Sequence, residues 1–109
     1  MNNTEKIRLQ NDALRLGMVR NGLFHVTSGI ADQGAGFVMR ARQQVAAYNN
    51  FTLDNDPYGE HDFGAFELDG QKLFFKIDYY DLETRAGSPD PADPDVTCRV
   101  LTVMLASEY

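Results

Sequence analysis

An α+β fold is what this sequence predicts: two helices packed on one face of a mostly antiparallel sheet of about four strands, with a proline-rich loop before the last strand. Three observations predict it. Two segments repeat apolar residues at intervals of three and four, one Asp-Gly dipeptide sits between alternating apolar runs, and a Val/Thr-rich segment follows a proline cluster. At 109 residues, 43% of them hydrophobic and 24% charged, the chain fits one folded domain spanning residues 1–109.

The first helix is expected from Thr4, as N-cap, through EKIRLQNDALRL, with Ile7, Leu14 and Met18 in one stripe, Leu9, Ala13 and Leu16 beside it, and Gly17 at its end. LFHVTSG then suits a strand, with Leu23, His25 and Thr27 on one side and Phe24 and Val26 on the other. From Ile30 to Tyr48, Phe37, Val38, Ala41, Val45 and Tyr48 recur at helical spacing. Gly34 and Gly36 weaken the first turn of that helix, and Asn49-Asn50 stops it.

FGAFEL and QKLFFKIDYYD flank Asp69-Gly70, the dipeptide of a two-residue type I′ hairpin turn. With those two residues in the turn, Leu68 opposes Gln71, Phe66 opposes Leu73 and Gly64 opposes Phe75 on one face. Glu67 opposes Lys72, Ala65 opposes Phe74 and Phe63 opposes Lys76 on the other. Residues 82–95, LETRAGSPDPADPD, hold three of the four prolines and read as a stiff loop. VTCRVLTVML reads as a strand, with a C-terminal helix as the alternative.

Charge is distributed unevenly. Residues 1–50 carry Lys6, Arg8, Arg15, Arg20, Arg40 and Arg42 against three acids, a balance of +3, whereas residues 51–109 carry a balance of −9. An overall charge of −6 and a pI near 4.7 lack the basic footprint of direct nucleic-acid binding. The acidic half would instead attract basic proteins or cations, or simply keep a small domain soluble. Cys98, the single cysteine, lies in an apolar run and reads as a buried small side chain. One thiol fits a reducing cytoplasm. MNNTEKIRLQ lacks an apolar leader core and no stretch reaches membrane-span length, so neither export nor anchoring is expected.

The densest polar stretch is LDNDPYGEHDFG, with Asp54, Asp56, Glu60, His61 and Asp62 close together. Carboxylates and an imidazole are ligands for a divalent metal. Against a calcium loop, however, Ala65 stands where a bidentate Glu is required, and the same residues also make hydrogen-bonded turns. Extending the hairpin register backwards places His61 opposite Asp78, on the face of Lys76 and near Tyr80. That pairing suits either a general base or a structural hydrogen bond. Tyr58, Phe74 and Tyr80, amid Asp and Glu, suit a protein-binding surface. No serine elbow, phosphate loop or CxxC is present, and the Asp-Phe-Gly at 62–64 lacks every other kinase feature. No cofactor is expected.

Asp54 to Gly64, Phe75 to Asp81, Ser88 to Pro94, Arg99 to Thr102 and Glu108-Tyr109, together with Asn11-Asp12 and Thr27-Ser28-Gly29, resemble a bacterial family known as domain of unknown function 3768. The resemblance implies a small soluble protein often carried on plasmids and other mobile elements; it brings no catalytic residue or cofactor.

The favoured expectation is a non-enzymatic interaction protein binding a basic surface of a partner, such as an anti-CRISPR or anti-restriction inhibitor. Its expected binding residues are Asp54, Asp56, Tyr58, Glu60, His61, Asp62, Asp78 and Tyr80. The alternatives are a metal-assisted hydrolase using the Asp54–Asp62 cluster and an antitoxin-like regulatory subunit.

Overall fold

Helix α1 spans Asn3–Arg15 in the computed structural model, which describes residues 1–19 and 21–109. Arg20, one of the basic residues counted above, lies outside the described residues. The N-cap is Asn2 rather than Thr4, because its extended backbone lets Oδ1 accept from Glu5 N at 2.8 Å. The helix ends as anticipated at Gly17, φ +78°, where Gly17 N bonds to Leu14 O and Met18 N to Ala13 O, the paired bonds of a Schellman motif. Its buried stripe differs from the apolar one expected. Ile7, Asn11, Leu14 and Arg15 are buried, while Leu9, Leu16 and Met18 face water.

Strand β1, Gly22–Val26, exposes Leu23 and His25 and packs Phe24 and Val26 on the core, as its alternation predicts. The helix read as continuous over residues 30–48 is two. Helix α2, Ser28–Ala31, and helix α3, Ala35–Ala47, are separated at Gly34, whose φ of +96° a side-chain-bearing residue rarely adopts. Phe37, Ala41 and Val45, four residues apart, form the buried line of α3.

Strands β2, Phe63–Leu68, and β3, Gln71–Tyr80, pair in the register deduced from Asp69-Gly70, residue for residue from Phe63 opposite Lys76 to Leu68 opposite Gln71. Asp69 and Gly70 both have positive φ, as a type I′ turn requires, and Arg40 grips the Asp69 carboxylate with two bonds of 2.7 and 2.8 Å. Cys98–Leu105 is strand β4, not a helix, and Cys98 is buried. A short 3₁₀ turn, Ala106–Glu108, follows it.

The sheet order is β1-β4-β3-β2, with β3 antiparallel to both neighbours and β1 parallel to β4. Two of three pairings are therefore antiparallel. The parallel pair has no local signature, since it joins residues 22–26 to residues 99–103 across most of the chain. Leu68, Leu73, Phe75, Ile77, Leu101 and Val103 form one core with Leu14, Ile30, Phe37, Ala41 and Val45. Burying each large member is worth about 1.5–3 kcal/mol, so this cluster dominates what holds the helices to the strands. No helix among the described residues is long and apolar enough to cross a membrane.

Candidate functional site

Two polar regions arise from this arrangement, one inside and one outside. The inner one begins with Arg99, the lone charge in the apolar β4 run and only 1% exposed. Its Nε donates to Asn11 Oδ1 at 2.9 Å, another nitrogen donates to Pro91 O, and its guanidinium lies 5.3 Å from the centre of the Tyr79 ring. Asn11 Nδ2 donates in turn to Glu60 O at 3.0 Å and Tyr79 Oη at 2.8 Å, and the Tyr79 hydroxyl donates to Glu60 Oε1 at 2.9 Å. Burial pushes the Tyr79 hydroxyl far above its ordinary value and draws the Arg99 guanidinium below its own. Each polar group here is matched to another, which is the condition for burying them at all.

His61 belongs to this inner region. Nδ1 lies 2.8 Å from Asp12 Oδ1, Nε2 lies 3.7 Å from Asp56 Oδ2, and the ring stacks on Phe51 with centroids 3.8 Å apart. The buried Asp56 carboxylate caps the turn before it, accepting from Glu60 N at 3.1 Å and His61 N at 3.2 Å. Asp12 also binds Arg15, whose guanidinium donates to Val45 O and Tyr48 O at the end of α3. Both ring nitrogens face carboxylates and one ring face is covered, so the imidazole fastens α1 to the 51–62 loop.

The expected pairing of His61 with Asp78 does not form. The ladder continues one step past β2, with Ile77 N donating to Asp62 O at 2.8 Å, but His61 takes a φ of +58° and turns its ring out of the strand direction. Asp78 lies opposite Val100 of β4 and pairs instead with Lys76, at 3.1 Å. That contact raises the Lys76 ammonium above its usual value.

Asp78 and Tyr80 face the outer region. The sheet surface away from the core is a trough of about 650 Å³ with Leu23, Val100 and Met104 among its lining residues and His25, Lys76, Asp78, Tyr80, Thr102 and Glu108 among its polar ones. Glu108 is fixed there by Thr27 Oγ1 at 2.7 Å, Leu105 N at 2.9 Å and Gly29 N at 3.1 Å, and the Thr27 hydroxyl foremost holds its carboxyl below the usual range. Tyr109, Phe74 and Phe63 make an aromatic group at the β2 side, with ring centroids 5.2–6.1 Å apart.

The expected binding residues are thus divided among three places. Asp56, Glu60 and His61 join the inner network; Asp78 and Tyr80 line the trough; Asp54 and Tyr58, the latter 79% exposed, stand on the outside of the 53–59 turns. Asp62 is half-buried, and its carboxyl is raised by burial and by the nearby Glu60, Asp56 and Asp78. No three His, Cys, Asp or Glu side chains among the described residues form a metal-holding group. Sequence reasoning missed Asp12 as the partner of His61, Asn11 as the partner of Arg99, and His25, Thr102 and Glu108 in the trough. An arginine inside an apolar strand was the available signal for the second of these.

Between β3 and β4 the acidic loop is held in shape. Thr97, buried, donates its hydroxyl to Asp90 O at 2.8 Å and contacts Ser88 Oγ at 2.7 Å, Asn21 Nδ2 bonds Pro94 O at 3.1 Å and Gln10 Nε2 bonds Ala92 O at 2.8 Å. Asp90 and Asp93 bend the chain by accepting from Ala92 N and Asp95 N.

Residues 26–108, more than half of the chain, match the family described as protein of unknown function (DUF3768). The chain belongs to the DUF3768 family. No curated protein and no solved structure matches it. The DUF3768 match covers the trough-lining strands β3 and β4, His61 and the acidic loop, and begins after α1, so the inner network joins residues on both sides of the match boundary.

Proposed function

We propose that this DUF3768 protein is a small acidic interaction protein without catalytic chemistry of its own, which binds a basic surface of a partner protein through the 81–95 loop and the adjoining trough. The observation that carries this reading is the pre-shaped loop. Asp81, Glu83, Asp90, Asp93 and Asp95 stand in it against Arg85 alone, and Arg99 and Thr97 hold its backbone from the buried side. Fixed charges associate faster and lose less on binding than mobile ones. Leu82 and Pro89, beside Asp81 and Glu83, add apolar area to the same surface, and Tyr80 and Thr84 carry it into the trough. A nucleic-acid-binding effector is the class of partner whose basic surface this charge pattern suits, as in an anti-restriction or anti-CRISPR inhibitor of a mobile element, acting in the cytoplasm.

The test is capture by the immobilised full chain from a bacterial lysate across a salt series, beside a variant carrying Glu83→Gln and Asp95→Asn, two exposed positions. Basic proteins retained at low salt, released as salt rises, and lost in the variant are the expected result. Retention indifferent to both salt and substitution would overturn it. A rise in Tm on adding Mn²⁺, Mg²⁺, Zn²⁺ or Ca²⁺, abolished by Asp56→Asn, would instead favour metal-assisted hydrolysis at residues 54–62.

A further inference from the structure

Arg99 N donates to Asn21 O at 3.0 Å and Thr27 N donates to Val103 O at 3.1 Å, which fixes which residues of β1 serve the ladder with β4. In a parallel pair the bonds come from every second residue. Asn21, Leu23, His25 and Thr27 therefore face β4, and the backbone N–H and C=O groups of Gly22, Phe24 and Val26 point away from the sheet. No turn or side chain among the described residues bonds to those groups. β1 is a terminal strand of the sheet.

Soluble proteins blunt such edges with lysine, proline, a bulge or a covering element. Gly-Leu-Phe-His-Val contains no charge and no proline, and its register is unbroken over all five residues. On the trough side it presents Leu23, 42% exposed, and exposed His25. On the core side the Arg42 guanidinium lies 4.4 Å from the centre of the Phe24 ring. Among the described residues Arg42 has no carboxylate at ion-pair distance, although it is exposed.

That cation decides between occupants. Antiparallel pairing of β1 with a second copy, in the register that overlaps all five residues, sets Phe24 opposite its own counterpart. Two Arg42 guanidiniums would then crowd over neighbouring rings, and like charges at that range repel. A strand bearing a carboxylate at this place meets attraction instead. The geometry points to the outer edge of β1 as a docking site for an extended segment of another protein, one that adds a fifth strand, sets apolar side chains beside Leu23 and His25 at the trough, and places an Asp or Glu against Arg42. The hydrogen-bonding edge of β1 lies outside the 81–95 loop, although Leu23 and His25 line the same trough as Tyr80 and Thr84. Protection of the edge amides therefore reports on this surface, and loss of capture on substituting the loop carboxylates reports on the other.

The experiment titrates the ¹⁵N-labelled full chain with a blocked synthetic peptide of alternating valine and threonine in which one central threonine is aspartate, and with its lysine counterpart. Hydrogen exchange of the Gly22, Phe24 and Val26 amides is expected to slow with the aspartate peptide. That peptide should bind about fivefold more tightly than the lysine one, the usual scale of an exposed ion pair. Arg42→Gln, at an exposed helix position, should abolish the difference and leave the amide protection in place. Unprotected amides with both peptides, or equal affinity for both, would overturn the proposal. Protection that rises with protein concentration alone would overturn it in favour of a second copy.

Discussion

Arg99 and Asn11, 88 positions apart in the chain, meet inside the protein, the guanidinium Nε donating to the amide oxygen at 2.9 Å. This bond ties the central strand β4 to α1, and through Pro91 O it also ties both to the acidic loop. The two polar residues of the helix's buried stripe, Asn11 and Arg15, thus bond to other elements of the fold beside the packing of Ile7 and Leu14, with Arg15 Nε alone of their buried polar atoms left without a partner among the described residues.

Asn11→Ala is accordingly expected to be far more damaging than its small volume change implies. It strips a partner from buried Arg99 and from the partly buried Tyr79 hydroxyl and Glu60 O at once. The expected loss is about 2–3 kcal/mol, read as a lowered urea midpoint with little change of slope. Leu9→Ala, at an exposed position of the same helix, should lose a few tenths at most. Equal effects from the two would contradict this account of the interior.

Two glycines should respond to alanine with opposite sign. A Cβ on Gly64 would stand 2.6 Å from Phe75 Cε1 and 2.7 Å from Tyr48 Cε1, rings fixed in the core, whereas a Cβ on Gly36 meets nothing within 4 Å. Gly64→Ala should therefore cost about 1–3 kcal/mol by overpacking. Gly36→Ala, in the first turn of α3, should add about 0.5–1 kcal/mol by restricting the unfolded chain. Thermal melts of the two variants measure both.

The parts of this fold that were legible in the sequence are those set by neighbours along the chain. Asp69-Gly70 dictated every pairing of β2 with β3, and Gly17 marked the end of α1, because a turn or cap is decided by a few adjacent residues. The period of Phe37, Ala41 and Val45 reads as part of one helix beginning at Ile30, whereas Gly34 takes a φ of +96° that divides it into α2 and α3. The β1–β4 pairing and the Arg99–Asn11 contact join distant residues, for which no local period exists. The pairing of His61 with Asp78 that the hairpin register predicts fails for a related reason: a single positive φ at His61 ends the strand alternation on which that pairing depends.

Asp62 supplies a pH dependence with a definite sign. Burial first, then Glu60, raises its carboxyl above the ordinary value of 3.8, so the folded state holds that proton more tightly than the unfolded state. Its ionisation therefore opposes folding: the penalty is absent below the ordinary value, grows as pH rises through the raised one, and is complete at neutral pH. Asp62→Asn should raise Tm at pH 7, and the gain should shrink to nothing as the medium is acidified below that ordinary value. A gain that persists in acid would point to packing instead of charge.

His61→Ala separates a fastening role from a working one. The substitution removes the stack on Phe51 and the bond to Asp12, and leaves a residue without a polar side chain at a φ of +58°. Together these should lower stability by about 1–3 kcal/mol. His61→Asn tolerates that backbone better and should recover part of the loss. Neither change touches the 81–95 carboxylates, so at a temperature where each variant is folded, salt-sensitive capture of a basic partner should match the wild type. Capture abolished in a folded His61→Ala protein would place His61 on the binding surface and detach it from the role assigned here, because the inner network would then be reporting to a partner and not only joining α1 to its loop.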